Sequence, residues 1–116
     1  MEKRDIQLRT RKYAVQAVYL FREIEKDAAG KIIGRQYLKA ATSIGANMRE
    51  ADAAQSKNDF ITKVSISHKE AEEACYWLEI MQDVGLGQKE KVSKLLDESN
   101  QIAKILSKIL QNSRSK

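Results

Sequence analysis

The strongest constraint in the sequence is a run of apolar and small residues that keeps helical spacing over three heptads. Its members recur at alternating steps of four and three: Phe60, Val64, Ser67, Ala71, Ala74, Leu78 and Met81. Such spacing places one stripe along one face of a helix. Ser56 or Asn58 can cap the first turn, and glycines follow Val84. The segment from about residue 57 to 84 is therefore predicted to be a long amphipathic helix.

Three further segments, about residues 9–27, 31–55 and 88–111, carry similar stripes. The stripes consist of Ala14, Ala17 or Val18, Phe21 and Ile24 in the first segment; Tyr37, Ala41, Ile44, Met48 and Ala51 in the second; and Val92, Leu95 or Leu96, Ser99, Ile102, Leu106 and Ile109 in the last. Gly30 is predicted to close the first helix in a left-handed conformation. Four helices joined by short turns are expected.

Composition supports this fold class, because the 116 residues include no proline and only five glycines. These residues mark most turns and sheet edges, so their scarcity disfavours a β-sandwich or barrel. Short connections make consecutive helices antiparallel. The prediction is an all-α, antiparallel up-down-up-down four-helix bundle that forms one domain over residues 1–116.

Several classes of protein are excluded by residues that the chain lacks. Cys75 is the only cysteine, so an intramolecular disulfide and a cysteine-rich zinc site are excluded. No signal-like stretch begins the sequence, and no run approaches the roughly 20 apolar residues of a membrane span. We therefore expect a cytoplasmic protein without a membrane partner, metal or other cofactor.

Catalytic interpretations lack the residues that they need. His68 is the only histidine and falls beside the third stripe, so a histidine-rich metal site and the Glu-x-x-His pair of di-iron bundles are excluded. Cys75 has no activating sequence signature, and Glu70, Glu72 and Glu73 are most simply a solvated face. The prediction is a protein that is not an enzyme and has no small-molecule substrate; a small enzyme is the less favoured alternative.

Charge is unevenly distributed along the chain, whose formal net charge is +5. Residues 57–84 hold three Lys or Arg against six acids, whereas every other segment is basic. Basic residues of the first two helices could track the phosphates of RNA or DNA. These candidates are Arg9, Arg11, Lys12, Lys31, Arg35 and Lys39. The alternative is a solubilising surface with no such partner.

The third helix holds more apolar surface than one stripe needs. The extra residues are predicted to form an oligomer interface: Ile61, Tyr76, Trp77 and Ile80. One small bundle cannot easily bury them all, so we expect another copy of the chain to cover some of them. The alternative is that Trp77 fills the edge of the core.

Ser43, Asn47 and Glu50 are spaced by four and three, so they share one face of the second helix. Their polar groups can be satisfied by one another, by a neighbouring helix or by another subunit. We interpret them as a structural polar motif, with a ligand site as the alternative.

The stretch around these residues, Lys39-Ala-Ala-Thr-Ser-Ile-Gly-Ala-Asn-Met-Arg-Glu50, resembles a known family. A second matching stretch runs from Asp59 to Ala71 and continues as Glu73-Ala-Cys-Tyr-Trp-Leu78. The resemblance is to four-helix bundle proteins encoded in intervening sequences of bacterial large-subunit ribosomal RNA genes, and it spans roughly residues 9–110. The family motif usually ends in Ala-Glu-Gly where this chain has Arg49-Glu50-Ala51, so the second helix is expected to run on.

The resemblance implies a small cytosolic protein without known catalytic activity that assembles as a homopentamer. Together with the residues above, it predicts a non-enzymatic oligomeric scaffold that binds RNA or DNA through a basic surface. The accessory proteins of diversity-generating retroelements are related, and they bind a reverse transcriptase. An accessory subunit of such a system is therefore the alternative function.

Overall fold

Four long α-helices make up the computed structural model, which describes residues 3–115, with side chains from residue 4 onward. The helices are α1 (Lys3–Ile24), α2 (Ala28–Asp52), α3 (Lys57–Val84) and α4 (Lys89–Arg114). No strand occurs within this range. The predicted all-α four-helix bundle is confirmed, and α3 has the predicted bounds.

Helices that follow one another in the chain pack side by side, and α1 completes the bundle against α4. The α1–α4 seam is the least extensive of the four contacts, and the diagonal pairs do not pack on each other. The bundle measures 46 × 20 × 19 Å, so its long axis matches the roughly 42 Å expected of a 28-residue helix. Because α1 and α3 are diagonal, their outer faces point away from the bundle in opposite directions.

The corner between α1 and α2 differs from the prediction. Asp27 is the N-cap of α2, and its Oδ1 accepts a hydrogen bond of 2.8 Å from the Gly30 backbone amide. Gly30 is therefore inside α2 and has no positive φ, so the predicted left-handed helix end at this residue is wrong. A Cβ at Gly30 would lie 2.1 Å from the carbonyl oxygen of Ile24. Glycine is required here by the close approach of the two helices.

The second helix does not run on as the loss of the family glycine suggests. It ends at Asp52 instead of residue 55, and the amides of Ala53 and Ala54 bond back to the carbonyls of Glu50 and Ala51. Ser56 then caps α3, its hydroxyl accepting from the Asp59 amide at 3.0 Å. The cap and the tightened last turn stop α2 without a glycine.

The corner between α3 and α4 is built by glycines with positive φ. Gly85 has φ 71° and ends α3, while the Leu86 amide bonds to the Met81 carbonyl at 2.9 Å. Gly87 has φ 79°. The first turn of α4 has no side-chain cap of its own, and the Gln88 amide instead donates to the carboxylate of Glu23 on α1 at 3.0 Å. A side chain from α1 thus helps to fix where α4 begins.

The predicted core stripe of α2 is buried in full, and those of α3 and α4 are buried apart from half-buried Phe60 and Ile109. In α1 the register is different, and the buried residues are Ile6, Thr10, Tyr13, Ala17, Leu20 and Ile24. Ala14, Val18 and Phe21 are only half-buried. The predicted stripe of this helix began at Ala14 and missed Thr10 and Tyr13, whose hydroxyls are satisfied inside the bundle.

Three buried hydroxyls form a chain of hydrogen bonds across the core. Ser99 donates to the carbonyl of Leu95 at 2.8 Å, so its oxygen is left to accept from the hydroxyl of Tyr13. The Tyr37 hydroxyl in turn donates to Tyr13 at 3.0 Å. Because each hydroxyl has one proton, these contacts fix the direction of every bond. The chain joins α1, α2 and α4.

Replacing Tyr13 with Phe should destabilise the protein more than replacing Tyr37 with Phe. Loss of the Tyr13 hydroxyl leaves Tyr37 without an acceptor and costs ~1–3 kcal/mol, whereas Tyr37 lies at the end of the chain and its loss costs ~0.5–1.5 kcal/mol. Urea unfolding followed by circular dichroism measures both. Equal losses would contradict the order of the bonds.

Candidate interaction surfaces

The polar motif of α2 divides into two contacts. Asn47 donates from Nδ2 to the hydroxyl and to the backbone carbonyl of Ser43, both at 2.9 Å. Glu50 does not reach these residues and instead accepts from Lys63 of α3 at 2.9 Å. Two members are thus satisfied by each other and the third by a neighbouring helix.

Arg9 is engaged within the bundle. Its Nε and Nη2 each lie 2.7 Å from one carboxylate oxygen of Glu98, and Nη2 also donates to Gln101 at 2.8 Å. The hydrogen bonds that Arg9 donates to Glu98 are the main cause that raises the pKa of Arg9. This two-point ion pair ties α1 to α4, so Arg9 is less available to an outside anion than the other predicted cations.

The other predicted cations are exposed, and those of α2 form a row. Lys31, Arg35 and Lys39 lie one helical turn apart, and none makes a side-chain hydrogen bond or ion pair with another described residue. Arg49 extends this outer face of α2, and it borders a groove opposite Arg11 of α1. Arg49 was not among the predicted cations, although its helical spacing from Lys31 and Arg35 places it on the same face.

The outer face of α3 is apolar as well as acidic. Tyr76 is 56% exposed and stacks edge-on against Trp77, with ring centroids 5.0 Å apart. Trp77 is half-buried, packs against the core and donates to Glu73 at 3.2 Å. Ile80 is half-buried, and Ile61 is half-buried against the core. Of the four residues predicted to meet another chain, Tyr76 is therefore the most exposed.

A cleft of about 750 Å³ opens along the α1–α4 seam, where the helices pack least. Leu20, Leu95 and Tyr13 form its apolar floor, and its rim carries Lys12, Lys94 and the Arg9–Glu98 pair. No sequence pattern predicts this cleft, because its two walls lie about 80 residues apart in the chain. Burial is the main cause that raises the pKa of the Tyr13 phenol to about 12.

Cys75 and His68 do not form a catalytic arrangement in the described residues. Burial raises the pKa of the Cys75 thiol to about 11, and its Sγ lies 3.4 Å from Oδ1 of Asn100. The thiol is thus protonated near neutral pH and is a poor nucleophile. No group of three His, Cys, Asp or Glu residues in this part of the chain is placed to hold a metal ion. No described helix is long and apolar enough to cross a membrane.

A known protein family matches almost the whole bundle. The model of the 23S rRNA-intervening sequence protein family matches residues 2–108. The chain belongs to this family. The matched residues include the polar motif, the basic row and the outer face of α3.

A solved structure is also similar to this member of the 23S rRNA-intervening sequence protein family. It is a protein of unknown function from the S23 ribosomal protein family of Bacteroides thetaiotaomicron VPI-5482. The two share 35% sequence identity with a TM-score of 0.85, covering 90% of this chain and 97% of the other. Among curated proteins, none matches the chain.

Substitution of Arg9 or Glu98 with Gln should weaken the seam between α1 and α4. The two side chains are 27% and 31% exposed, so we expect a coupling of ~0.5–1 kcal/mol in a double-mutant cycle. The coupling should shrink in about 0.5 M NaCl because salt screens exposed charges. Urea unfolding of the two single variants and the double variant measures it. Lys63→Gln, at the more exposed Glu50–Lys63 pair, is the control and should cost less.

Proposed function

We propose that the protein is a non-enzymatic scaffold that assembles from copies of itself. The observation that carries this proposal is the apolar surface on α3, where Tyr76, Ile66 and Val84 are exposed and Tyr76 contacts the half-buried Trp77. Tyrosine and tryptophan are enriched at the centres of protein interfaces, and water contact with this surface is unfavourable in a single bundle. The resemblance described above favours a homopentamer as the assembly.

The proposal that the protein is not an enzyme rests on the chemistry of the cleft along the α1–α4 seam. Its ionisable groups are one arginine, three lysines, one glutamate already paired with Arg9, and the phenols of Tyr13 and Tyr19. General acid–base catalysis works best with a group that titrates near the working pH, and the raised pKa of Tyr13 makes that phenol unsuitable. The proposal places the protein in the cytoplasm, where its lone thiol stays reduced.

Light scattering coupled to size-exclusion chromatography tests self-association at micromolar concentration. We expect an oligomer for the natural chain and a shift toward monomer for Tyr76→Glu, because a buried unpaired charge opposes the interface. Ile32→Glu is the matched control, since Ile32 is 69% exposed on α2, and it should leave the assembly unchanged. The emission of Trp77, the only tryptophan, should shift to the red as the assembly dissociates. A monomeric natural chain would refute the proposal.

The unpaired basic row on α2 favours a second candidate function, the binding of RNA or DNA. Cations one turn apart on an exposed helix face can each neutralise a phosphate and release counterions. Lys31, Arg35 and Lys39 are the proposed contacts, with Arg11 and Arg49 on the adjoining α1–α2 groove. Lys12 lies farther away, at the rim of the α1–α4 cleft. Arg9 contributes less because Glu98 neutralises it.

Titration of a labelled structured RNA at low and moderate salt tests this second function. The variant with Lys31, Arg35 and Lys39 changed to Gln should bind more weakly and lose about 2–3 units of the salt slope, roughly one for each phosphate contact. Lys94, Lys104 and Lys108 changed to Gln give a control with the same net charge. Undetectable RNA binding by the natural chain, or equal losses of affinity in both variants, would show that the row is only a solvated surface.

The role of accessory subunit in a reverse-transcriptase system is the alternative function that the resemblance supplies. It would require the same basic surface and a partner enzyme. Genomic neighbourhood is its simplest test, because the proposed partner should be encoded nearby. Co-purification with that enzyme would then distinguish this role from a scaffold that acts alone.

A further inference from the structure

Two apolar stripes lie on the outer faces of diagonal helices. On α1, residues at steps of four and three share the face opposite the core, and all are exposed: Arg4, Leu8, Arg11, Val15, Tyr19 and Arg22. On α3 the corresponding outer residues are Ile66, Glu73, Tyr76, Ile80, Asp83 and Val84. We call these the basic outer stripe and the acidic outer stripe. Six of the seven large apolar residues that are exposed in the described chain belong to them; Ile32 is the exception.

The charges around the two stripes are opposite. From residue 6 to residue 22, α1 contains no carboxylate but includes Arg9, Arg11, Lys12 and Arg22. From residue 70 to residue 88 the chain contains no Lys or Arg but includes five acids. Lys69 is the one cation on the outer face of α3, and it lies between Ile66 and Glu73. The apolar residues of the α1 stripe are therefore flanked by positive charges, and those of the α3 stripe are flanked mainly by negative charges.

We propose that the basic outer stripe of one copy docks on the acidic outer stripe of the next copy. This inference rests on the proposed self-association and assigns its two faces. Apolar centres would be covered in pairs, and the flanking arginines would face carboxylates in place of water. Tyr19, held under the Arg22 guanidinium at 5.7 Å, and the Tyr76–Trp77 pair supply aromatic anchors on the two sides.

The positions of the stripes determine the type of assembly. They are different surfaces, and they face in opposite directions because α1 and α3 are diagonal in the bundle. A contact between them is heterologous, with one copy's first helix on the next copy's third helix. Each copy then uses both faces, so successive copies form a closed ring or an open filament. A two-fold dimer is excluded.

Charge reversal on each stripe, followed by their combination in one chain, tests the assignment. Arg11→Glu with Arg22→Glu makes both stripes acidic, and Glu73→Arg with Asp83→Arg makes both basic. Each double variant should raise the dissociation constant by about 100-fold or more, because like charges then meet across the contact. The chain with all four substitutions has complementary stripes again and should recover assembly.

Light scattering measures the mass of each variant, and circular dichroism checks that its helices are retained. Lys104→Glu with Lys108→Glu, on exposed positions of α4, is the control for a change in net charge and should assemble normally. Recovery by the four-substitution chain supports the inference. Failure to recover, or a natural oligomer that survives both reversals, overturns the assignment of faces while leaving self-association intact. A natural chain that is monomeric overturns self-association itself.

Discussion

A helix in a four-helix bundle can bury only the face that meets its neighbours, and this constraint organises the whole molecule. The buried stripes of the four helices fill the interior, where Tyr37, Ile44, Leu78 and Ile102 are fully enclosed. An apolar side chain outside its stripe stays in water unless another molecule covers it. The bundle itself therefore does not bury the exposed apolar side chains on the outer faces of α1 and α3.

Closure of the bundle depends on a seam between helices from opposite ends of the chain. There α1 and α4 pack least, and polar contacts join them. The Arg9–Glu98 ion pair acts near the surface, the Tyr13–Ser99 hydrogen bond acts in the core, and Glu23 holds the start of α4. Geometry-dependent contacts of this kind fix the relative position of two helices more specifically than apolar packing does.

Much of the fold could be predicted from periodicity, because long apolar stripes and a lack of proline leave few alternatives to a helical bundle. The register of α1 could not, since Thr10 and Tyr13 are polar in sequence and become core residues only through partners on the same or distant helices. The corner at Gly30 was mistaken for a helix end because a glycine needed for close packing looks the same in sequence as one needed for a positive φ. The cleft and the pairing of Arg9 depend on the α1–α4 contact, which no local pattern encodes. The basic row and the exposed Tyr76 were visible in the sequence because helix periodicity alone places them on outer faces.

The fixed direction of the buried hydroxyl chain has a consequence for motion. Each of its three protons lies between two buried oxygen atoms, so exchange with solvent is slowed while α1, α2 and α4 remain together. Exchange of these protons requires an opening of the interior around Tyr13. The hydrogen-exchange rate of the tyrosine and serine hydroxyls thus reports how often the first helix separates from the last.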